Sequence, residues 1–209
     1  MNSDGALPLC KTCSTQYDAS HDLKACHICD DPRQYILPSG QAWTTLSELW
    51  QDKEQNYKNI FTQPYDGAPN IWTIHTEPVF GIGQRAFLLQ TSHGNVLWDC
   101  VGYIDQETVD KINSLGGLKA IVISHPHFYS THITWSRTFG NVPVYLASDD
   151  KTWLSRTDDA AEPVRRFVEE KVVEILPGVT AVKVGGHFPG SMVLHWADTL
   201  FVADSIVWA

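Results

Sequence analysis

The sequence has no long apolar run. None of its apolar stretches reaches the length of about eighteen residues that a membrane-spanning helix needs, so we expect no membrane segment. The segment from Met1 to Pro8 lacks the basic start and the apolar stretch of a signal peptide. We therefore expect a cytoplasmic protein, with a nuclear address as the alternative.

Basic residues are also scarce. Lysine and arginine number 15 against 24 acidic residues, which gives a net charge of −9. A nucleic-acid-binding surface needs a concentrated positive field, so we expect no nucleic-acid partner. The 209 residues are 43% hydrophobic and 19% charged, which is typical of a folded chain with one sizeable core.

Cysteine is infrequent, but its placement is regular. Two Cys-x2-Cys pairs account for four of the five cysteines: Cys10, Cys13, Cys26 and Cys29. In a chain without an export signal this spacing predicts a four-cysteine zinc site, with a redox pair as the alternative. Four thiolates would close such a site around one structural zinc. Because residues 1 to about 40 lack helical or alternating periodicity, we expect the metal to stabilise this zinc-binding segment, residues 1–45.

The next segment is predicted to be a helix followed by a linker. Thr45 and Glu48 have the spacing of a capping box, which predicts a helix over residues 45–61. Turn-forming residues at 66–70 place a boundary there. We therefore assign residues 46–69 to a helix and linker and residues 70–209 to the main domain.

Within the main domain, the patterns predict mixed helices and strands. Helices are expected from Asp105 to Leu115, around His132 to Phe139, and over residues 160–170. Short β-rich runs predict strands over residues 71–76, 85–91, 95–99, 120–124, 142–147, 172–175, 179–184, 192–196 and 199–202.

Two histidines follow a strand that is apolar throughout, Ala120 to Ile123. Such a run suits a strand covered on both faces. Pro126 favours an extended backbone at His125, and residues two apart in extended chain point to one side. The imidazoles of His125 and His127 should therefore project together, as two ligands of one zinc would. The alternative is an ordinary pair of solvated or buried histidines.

Two later strands also end in metal-ligand types. His187 lies in Gly185-Gly186-His187-Phe188-Pro189-Gly190-Ser191, after one predicted strand. Asp204 follows another. Three strands thus end in side chains that together offer three nitrogens and one oxygen to a metal.

These motifs resemble those of the metallo-β-lactamase-fold superfamily, which carries His-x-His-x-Asp-His, a later Gly-His-x-Pro-Gly-Ser loop and a strand-terminal Asp. The resemblance runs from about Asn70 to the end. It implies an α+β fold, an αββα sandwich, with His125, His127 and His187 as ligands and Asp204 as the metal-bridging carboxylate. It further implies that Asp99 supports the metal loop from behind, although a simple turn residue is an equal interpretation. Some relatives of this fold carry a similar cysteine pair and an Arg-Gln-Tyr segment, here residues 33–35.

The chain departs from the family pattern in two places. Tyr129 and Ser130 stand where the family has the Asp and His that hold a second metal. We assign His132 as a possible replacement ligand, and Tyr129 as a hydrogen-bond donor to a developing oxyanion, because a phenol with a pKa of about 10 is a poor base. The family also continues past the bridging Asp to a last metal-binding His, so we expect a fold truncated at its C-terminus.

The resemblance implies a metal-dependent hydrolase. A zinc-activated water would attack an ester, thioester or lactone-type bond of a small-molecule substrate, with Asp204 beside the metal as a catalytic residue. In the family, the Asp that Tyr129 replaces often orients that water. We expect one zinc in the cysteine site and one in the histidine site, with a second ion there weak or absent. The alternative function is a degenerate, non-catalytic zinc-binding module of the same fold. The sequence does not predict an oligomeric state.

Overall fold

The computed structural model describes residues 3–19, 23–32, 36 and 38–206. Three sheets form within this part of the chain, with two, seven and four strands. The strands are β1 (Leu9–Cys10), β2 (Trp43–Thr44), β3 (Lys58–Thr62), β4 (Ile71–Glu77), β5 (Arg85–Thr91), β6 (Gly94–Trp98), β7 (Ala120–Val122), β8 (Val144–Ala147), β9 (Arg165–Val168), β10 (Val172–Leu176), β11 (Val179–Lys183), β12 (Met192–Trp196) and β13 (Thr199–Phe201). The α-helices are α1 (Leu46–Gln51), α2 (Gln106–Ser114) and α3 (His132–Thr138).

The large sheet has its strands in chain order, from β3 to β9. Its first four strands pair antiparallel, whereas β6 to β9 pair in parallel. Parallel neighbours require a crossover, and α2 and α3 provide it between β6, β7 and β8. The carboxyl ends of β6 and β7 therefore meet at one edge of the sheet, where Asp99 and His125 follow them.

The strand before the histidines is buried on both faces, as its sequence predicts. In β7, Ile121 packs in the core that the large sheet shares with the three helices. Ala120 and Val122 pack instead against Met192 and Leu194 of the four-stranded sheet. This sheet is an antiparallel meander of β10 to β13. The two sheets thus form a sandwich, with the helices on the outer face of the large sheet. The predicted α+β fold class is confirmed.

The helix predicted over residues 45–61 is present only as α1, Leu46–Gln51, and the prediction is wrong beyond Gln51. The capping box is present, with the Glu48 N–H donating to Thr45 Oγ1 at 3.0 Å and the Thr45 N–H donating to Glu48 Oε2 at 3.1 Å. The helix ends at Gln51, because the Asp52 carboxylate accepts the N–H groups of Glu54 and Gln55 in a turn. Residues 58–62, assigned to a helix and linker, are strand β3 and pair with β4.

The helix predicted over residues 160–170 is also wrong. Residues 165–168 form β9, which pairs in parallel with β8. Pro163 lies within the predicted helix and has no N–H to donate to a preceding turn, which disfavours helix there. These residues instead pair with β8 at the edge of the large sheet and form a strand.

Of the described helices, α2 is the longest at nine residues, and none has the length and apolarity to cross a membrane. The Arg-Gln-Tyr segment at residues 33–35 lies outside the described residues.

Candidate metal centres

The histidine loop, residues 124–131, follows β7. His125 has an extended backbone, with φ −168° and ψ 173°, as the following proline predicts. A short 3-10 turn over Pro126–Phe128 then turns His127 back, so both imidazoles face the same centre. Both side chains are buried, with 1% and 3% of their surface exposed. The Ser124 hydroxyl lies 2.9 Å from His125 Nδ1, which leaves Nε2 of that ring for a ligand.

His187 reaches the same centre from the loop between β11 and β12. Gly185 and Gly186 have φ values of +68° and +89°, a region that residues with side chains rarely adopt. These two glycines let the chain leave β11 and project His187 over the histidine loop. Its Nε2 lies 3.1 Å from His127 Nδ1.

Asp204 completes the cluster from the segment after β13. Its Oδ2 lies 3.3 Å from His125 Nε2, 3.6 Å from His187 Nε2 and 3.8 Å from His127 Nδ1. The four side chains predicted to converge therefore do so, with ligand atoms within 4.8 Å of one another. Unlike the buried histidines, the Asp204 side chain is about half exposed, at 47%.

The geometry and charge of this cluster suit a divalent cation. Two nitrogens bound tetrahedrally at about 2.0–2.1 Å lie about 3.3 Å apart, close to the observed separation of His127 and His187. Burial lowers the pKa of His125, which favours the neutral imidazole. The adjacent imidazoles of His125 and His127 hold the pKa of Asp204 well below its usual range. A neutral His125 and an ionised Asp204 are the protonation states that bind metal.

Asp99 holds the histidine loop from the end of β6. Its Oδ1 accepts the Ser124 N–H at 2.7 Å, one residue before His125. Burial raises the pKa of Asp99 to about 8. This contact matches the supporting position that the family resemblance implies.

His132 does not lie with the other predicted ligands, which corrects its assignment. It is buried in the first turn of α3, with Nδ1 2.6 Å from the Tyr129 carbonyl oxygen. Its Nε2 accepts a hydrogen bond from Arg165 Nε at 3.0 Å. Both ring nitrogens are thus engaged within the protein.

Tyr129 is not placed to stabilise an oxyanion, and this assignment is corrected too. Its side chain packs in the core between the large sheet and the helices, and its hydroxyl donates to the Asp150 carbonyl oxygen at 3.3 Å. Ser130, at the second motif position, is buried and lies 3.3 Å from the Ser14 hydroxyl. The two side chains that replace the family's second-metal ligands are therefore part of the protein's own packing.

The cysteines form a second cluster, as their spacing predicts. Cys10 and Cys29 have sulfurs 3.7 Å apart, and those of Cys13 and Cys26 are 3.5 Å apart. Tetrahedral coordination at about 2.3 Å requires about 3.8 Å between sulfurs, whereas a disulfide is near 2.05 Å. The Gln41 amide and the Tyr17 hydroxyl donate to the sulfurs of Cys10 and Cys26, respectively. Contacts with Cys13 and the other two thiols lower the pKa of Cys10.

Gln84 contacts the histidine loop, and the sequence interpretation missed it. Its side-chain amide donates to the His127 carbonyl oxygen at 3.0 Å. It also lines a cleft of about 380 Å³ beside Asp204, together with Arg85, Phe128 and Val202. Neighbouring residues give no signal for this role, because the contact joins positions 43 apart in the chain.

Sequence comparisons identify a relative of the chain but no family model. No protein-family model matches the chain. The uncharacterized protein YmaE of Bacillus subtilis (strain 168) is 42% identical over 190 residues, which cover 90% of this chain and 66% of YmaE. This chain thus spans slightly less than two thirds of the length of that relative.

Solved structures resemble the chain at lower identity. The DIM-1 metallo-β-lactamase exposed to ceftazidime has a TM-score of 0.50 and 16% identity, over 66% of this chain and 64% of that one. The metallo-β-lactamase IND-7 has a TM-score of 0.49 and 20% identity, over 66% of each chain. From the sandwich, its metal-ligand cluster and the likeness to DIM-1, the chain is a protein of the metallo-β-lactamase fold.

Proposed function

We propose that this protein is a zinc-dependent hydrolase that acts on an ester, thioester or lactone-type bond of a small molecule. The observation that carries the proposal is the convergence of His125, His127, His187 and Asp204 beside an open cleft. Three nitrogens plus one exchangeable position are the ligand pattern of catalytic zinc.

The residues of the cluster have distinct roles in this proposal. The three histidines would hold zinc, which lowers the pKa of a bound water to about 7 and polarises a carbonyl. Asp204 contacts all three rings through one oxygen and remains half exposed, so its carboxylate is placed to orient the attacking water by accepting its hydrogen bond. The Asp99 contact with the Ser124 N–H keeps His125 in place.

The cleft beside Asp204 supports the proposal of a small-molecule substrate. A volume of about 380 Å³ falls within the range of small-ligand pockets. Ile82, Phe128 and Val202 provide apolar surface in its wall, and Arg85 provides one positive charge. A substrate would place its apolar part against this wall and its scissile carbonyl at the histidine cluster.

We further propose that Cys10, Cys13, Cys26 and Cys29 bind one structural zinc. The four buried sulfurs leave no open position for a water, so this site would have no part in the chemistry.

One observation favours a second candidate function, a non-catalytic zinc-binding module. Tyr129 and Ser130 occupy the second-metal positions and are both buried in contacts with the protein itself. This argues for a single ion in the histidine site, and the loss of the second metal favours the non-catalytic module. Only turnover distinguishes the two candidates.

Metal content and hydrolysis together test the proposal. Wild-type protein purified without chelator should contain two zinc ions per chain, and His127→Ala should contain one. On a panel of nitrophenyl esters, thioesters and lactones, Asp204→Asn should lower kcat by about 10²–10⁴-fold. Asp198→Asn, at an exposed aspartate in the β12–β13 turn, is the matched control and should retain activity. Two ions without turnover on any substrate class would favour the non-catalytic module. A wild-type protein without an ion in the histidine site would refute both candidates.

A further inference from the structure

We propose that the four-cysteine cluster positions both loops of the histidine site, with Ser14 and Gln84 as positioning residues for His127. This inference rests on the proposed function because it treats the histidine cluster as a metal site. The first knuckle (residues 10–16) contacts the histidine loop, and the second knuckle (residues 26–29) reaches the loop of His187. Each knuckle therefore supports a different half of the site.

The first connection runs through the buried amide of Gln84. Its two N–H groups donate to the carbonyl oxygens of Cys13, at 3.1 Å, and His127, at 3.0 Å. Its Oε1 accepts a hydrogen bond at 2.6 Å from the Ser14 hydroxyl, whose one hydrogen it shares with the Cys13 carbonyl oxygen, also at 2.6 Å. Every polar atom of this side chain is thus satisfied by either the knuckle or the histidine loop. Gln84 is 5% exposed, so water does not replace these partners.

The first knuckle also holds the loop directly at Ser130. The Gln16 N–H donates to the Ser130 carbonyl oxygen at 3.1 Å, and the hydroxyls of Ser14 and Ser130 lie 3.3 Å apart. Ser130 has a φ of +41°, which a residue with a side chain seldom adopts unless its surroundings impose it. The contacts with the knuckle are the surroundings that impose this conformation three residues after His127.

The second connection is a chain of aromatic rings. His27, between Cys26 and Cys29, stacks on Trp153 with centroids 4.9 Å apart and planes at 24°. Trp153 meets Phe188 edge-on at 5.3 Å. Phe188 follows His187 in sequence and stacks on the His125 ring at 5.6 Å and 27°. The second knuckle is therefore linked by packing to histidines of both loops.

These connections make the histidine site sensitive to the state of the cysteines. The knuckles hold their shape only while the four sulfurs are drawn together. If that cluster opens, Ser14 and His27 move away from Gln84 and Trp153, and the imidazoles lose their fixed orientation. Removing a group that orients a metal ligand through a hydrogen bond typically lowers metal affinity by about 10–100-fold.

The test replaces Gln84 with methionine, which has a similar shape but no amide. Gln90→Met is the matched control, because Gln90 also accepts one side-chain hydrogen bond, from Trp72, and donates another, to Leu115. Co²⁺ is the probe: thiolate charge-transfer bands report the cysteine site, and the d–d bands that are missing from His127→Ala report the histidine site. Gln84→Met should bind Co²⁺ at the histidines at least tenfold more weakly with altered d–d bands, and Gln90→Met should match the wild type.

A second arm uses protein that keeps zinc at the cysteines but has no metal at the histidines, so that it does not depend on metal binding there. Imidazole NMR signals of His127 and His187 should shift in Cys10→Ser/Cys29→Ser and in Gln84→Met, whereas that of exposed His93 should not. If the cysteine variant unfolds, Gln84→Met decides alone. Unchanged imidazole signals and unchanged Co²⁺ affinity in Gln84→Met would overturn the inference. A wild type without histidine-type Co²⁺ bands refutes the proposed function instead, and the NMR arm still decides the positioning role.

Discussion

Arg165 donates a hydrogen bond from Nε to Nε2 of His132 at 3.0 Å. Because Nε2 accepts, the proton of the neutral ring lies on Nδ1 and is donated to the Tyr129 carbonyl oxygen. Burial, with the nearby Arg165 charge, lowers the pKa of His132 well below its ordinary value, so the ring stays neutral. The histidine nearest in sequence to the metal motif is therefore a structural acceptor for a buried arginine.

This relationship predicts the behaviour of His132→Ala. We expect its metal content to equal that of the wild type, and its free energy of unfolding to fall by about 1–3 kcal/mol, since the buried Arg165 loses an acceptor. Metal analysis and denaturant unfolding measure the two quantities. His187→Ala is the comparison and should lose one ion. Loss of an ion from His132→Ala would restore His132 as a ligand.

Reintroducing the family residues should not create a second metal site. In the variant Tyr129→Asp/Ser130→His, the new carboxylate would be buried in the apolar core and the new imidazole would meet Ser14. We expect a destabilisation of about 3 kcal/mol or more and no additional ion. Zinc titration followed by calorimetry measures the stoichiometry. A third ion per chain would show that this loop follows the family's backbone path.

The close approach of the first knuckle to the main domain predicts the effect of Gly102→Ala. A Cβ at Gly102 would lie 2.2 Å from Ser14 Cβ, so alanine must displace the knuckle at a cost of about 1–3 kcal/mol. Gly140→Ala is the control: φ there is +82° but the space is open, so alanine costs about 1 kcal/mol of backbone strain. Both variants should be less stable in thermal unfolding, but only Gly102→Ala should weaken Co²⁺ binding at the histidines. Equal affinities would contradict the expected coupling.

Asp99 predicts a specific pH dependence of stability in the metal-free protein. Its pKa is about 8 in the folded chain against an ordinary 3.8, so between these values the folded state holds a proton that the unfolded state has released. Its contribution to stability therefore falls as pH rises, by up to about 1.4 kcal/mol per pH unit. Asp99→Asn keeps an oxygen for the Ser124 N–H and should remove this slope in unfolding measurements from pH 5 to 8. Asp198→Asn should keep it, and parallel curves for Asp99→Asn and wild type would contradict the assignment.

Predictions from the sequence succeeded where a local pattern determines the structure. The apolar run of β7 and the strand-end positions of His187 and Asp204 agreed with the family resemblance in placing the histidine cluster. His187 and Asp204 follow β11 and β13, which run in the same direction, so both reach one edge of the sandwich. The predictions failed where pairing over a distance overrides local preference, as at Phe61 in β3. They failed also for His132, since proximity in sequence does not determine which way a helical side chain points.

The contacts of Gln84 belong to the same class, which no local pattern reveals. Its partners lie 70 residues before it and 43 after it, at Ser14 and His127. Only the folded chain brings them together.

The satisfied amide of Gln84 also constrains how this chain can diverge. Exchange of Ser14 or Gln84 alone leaves a buried donor or acceptor without a partner, and exchange of Ser130 alone disturbs the same contact. A lineage that abandons the cysteines must therefore alter several distant positions through intermediates less stable than either end point. Such a barrier would favour retention of both clusters together, even though only one of them faces the cleft.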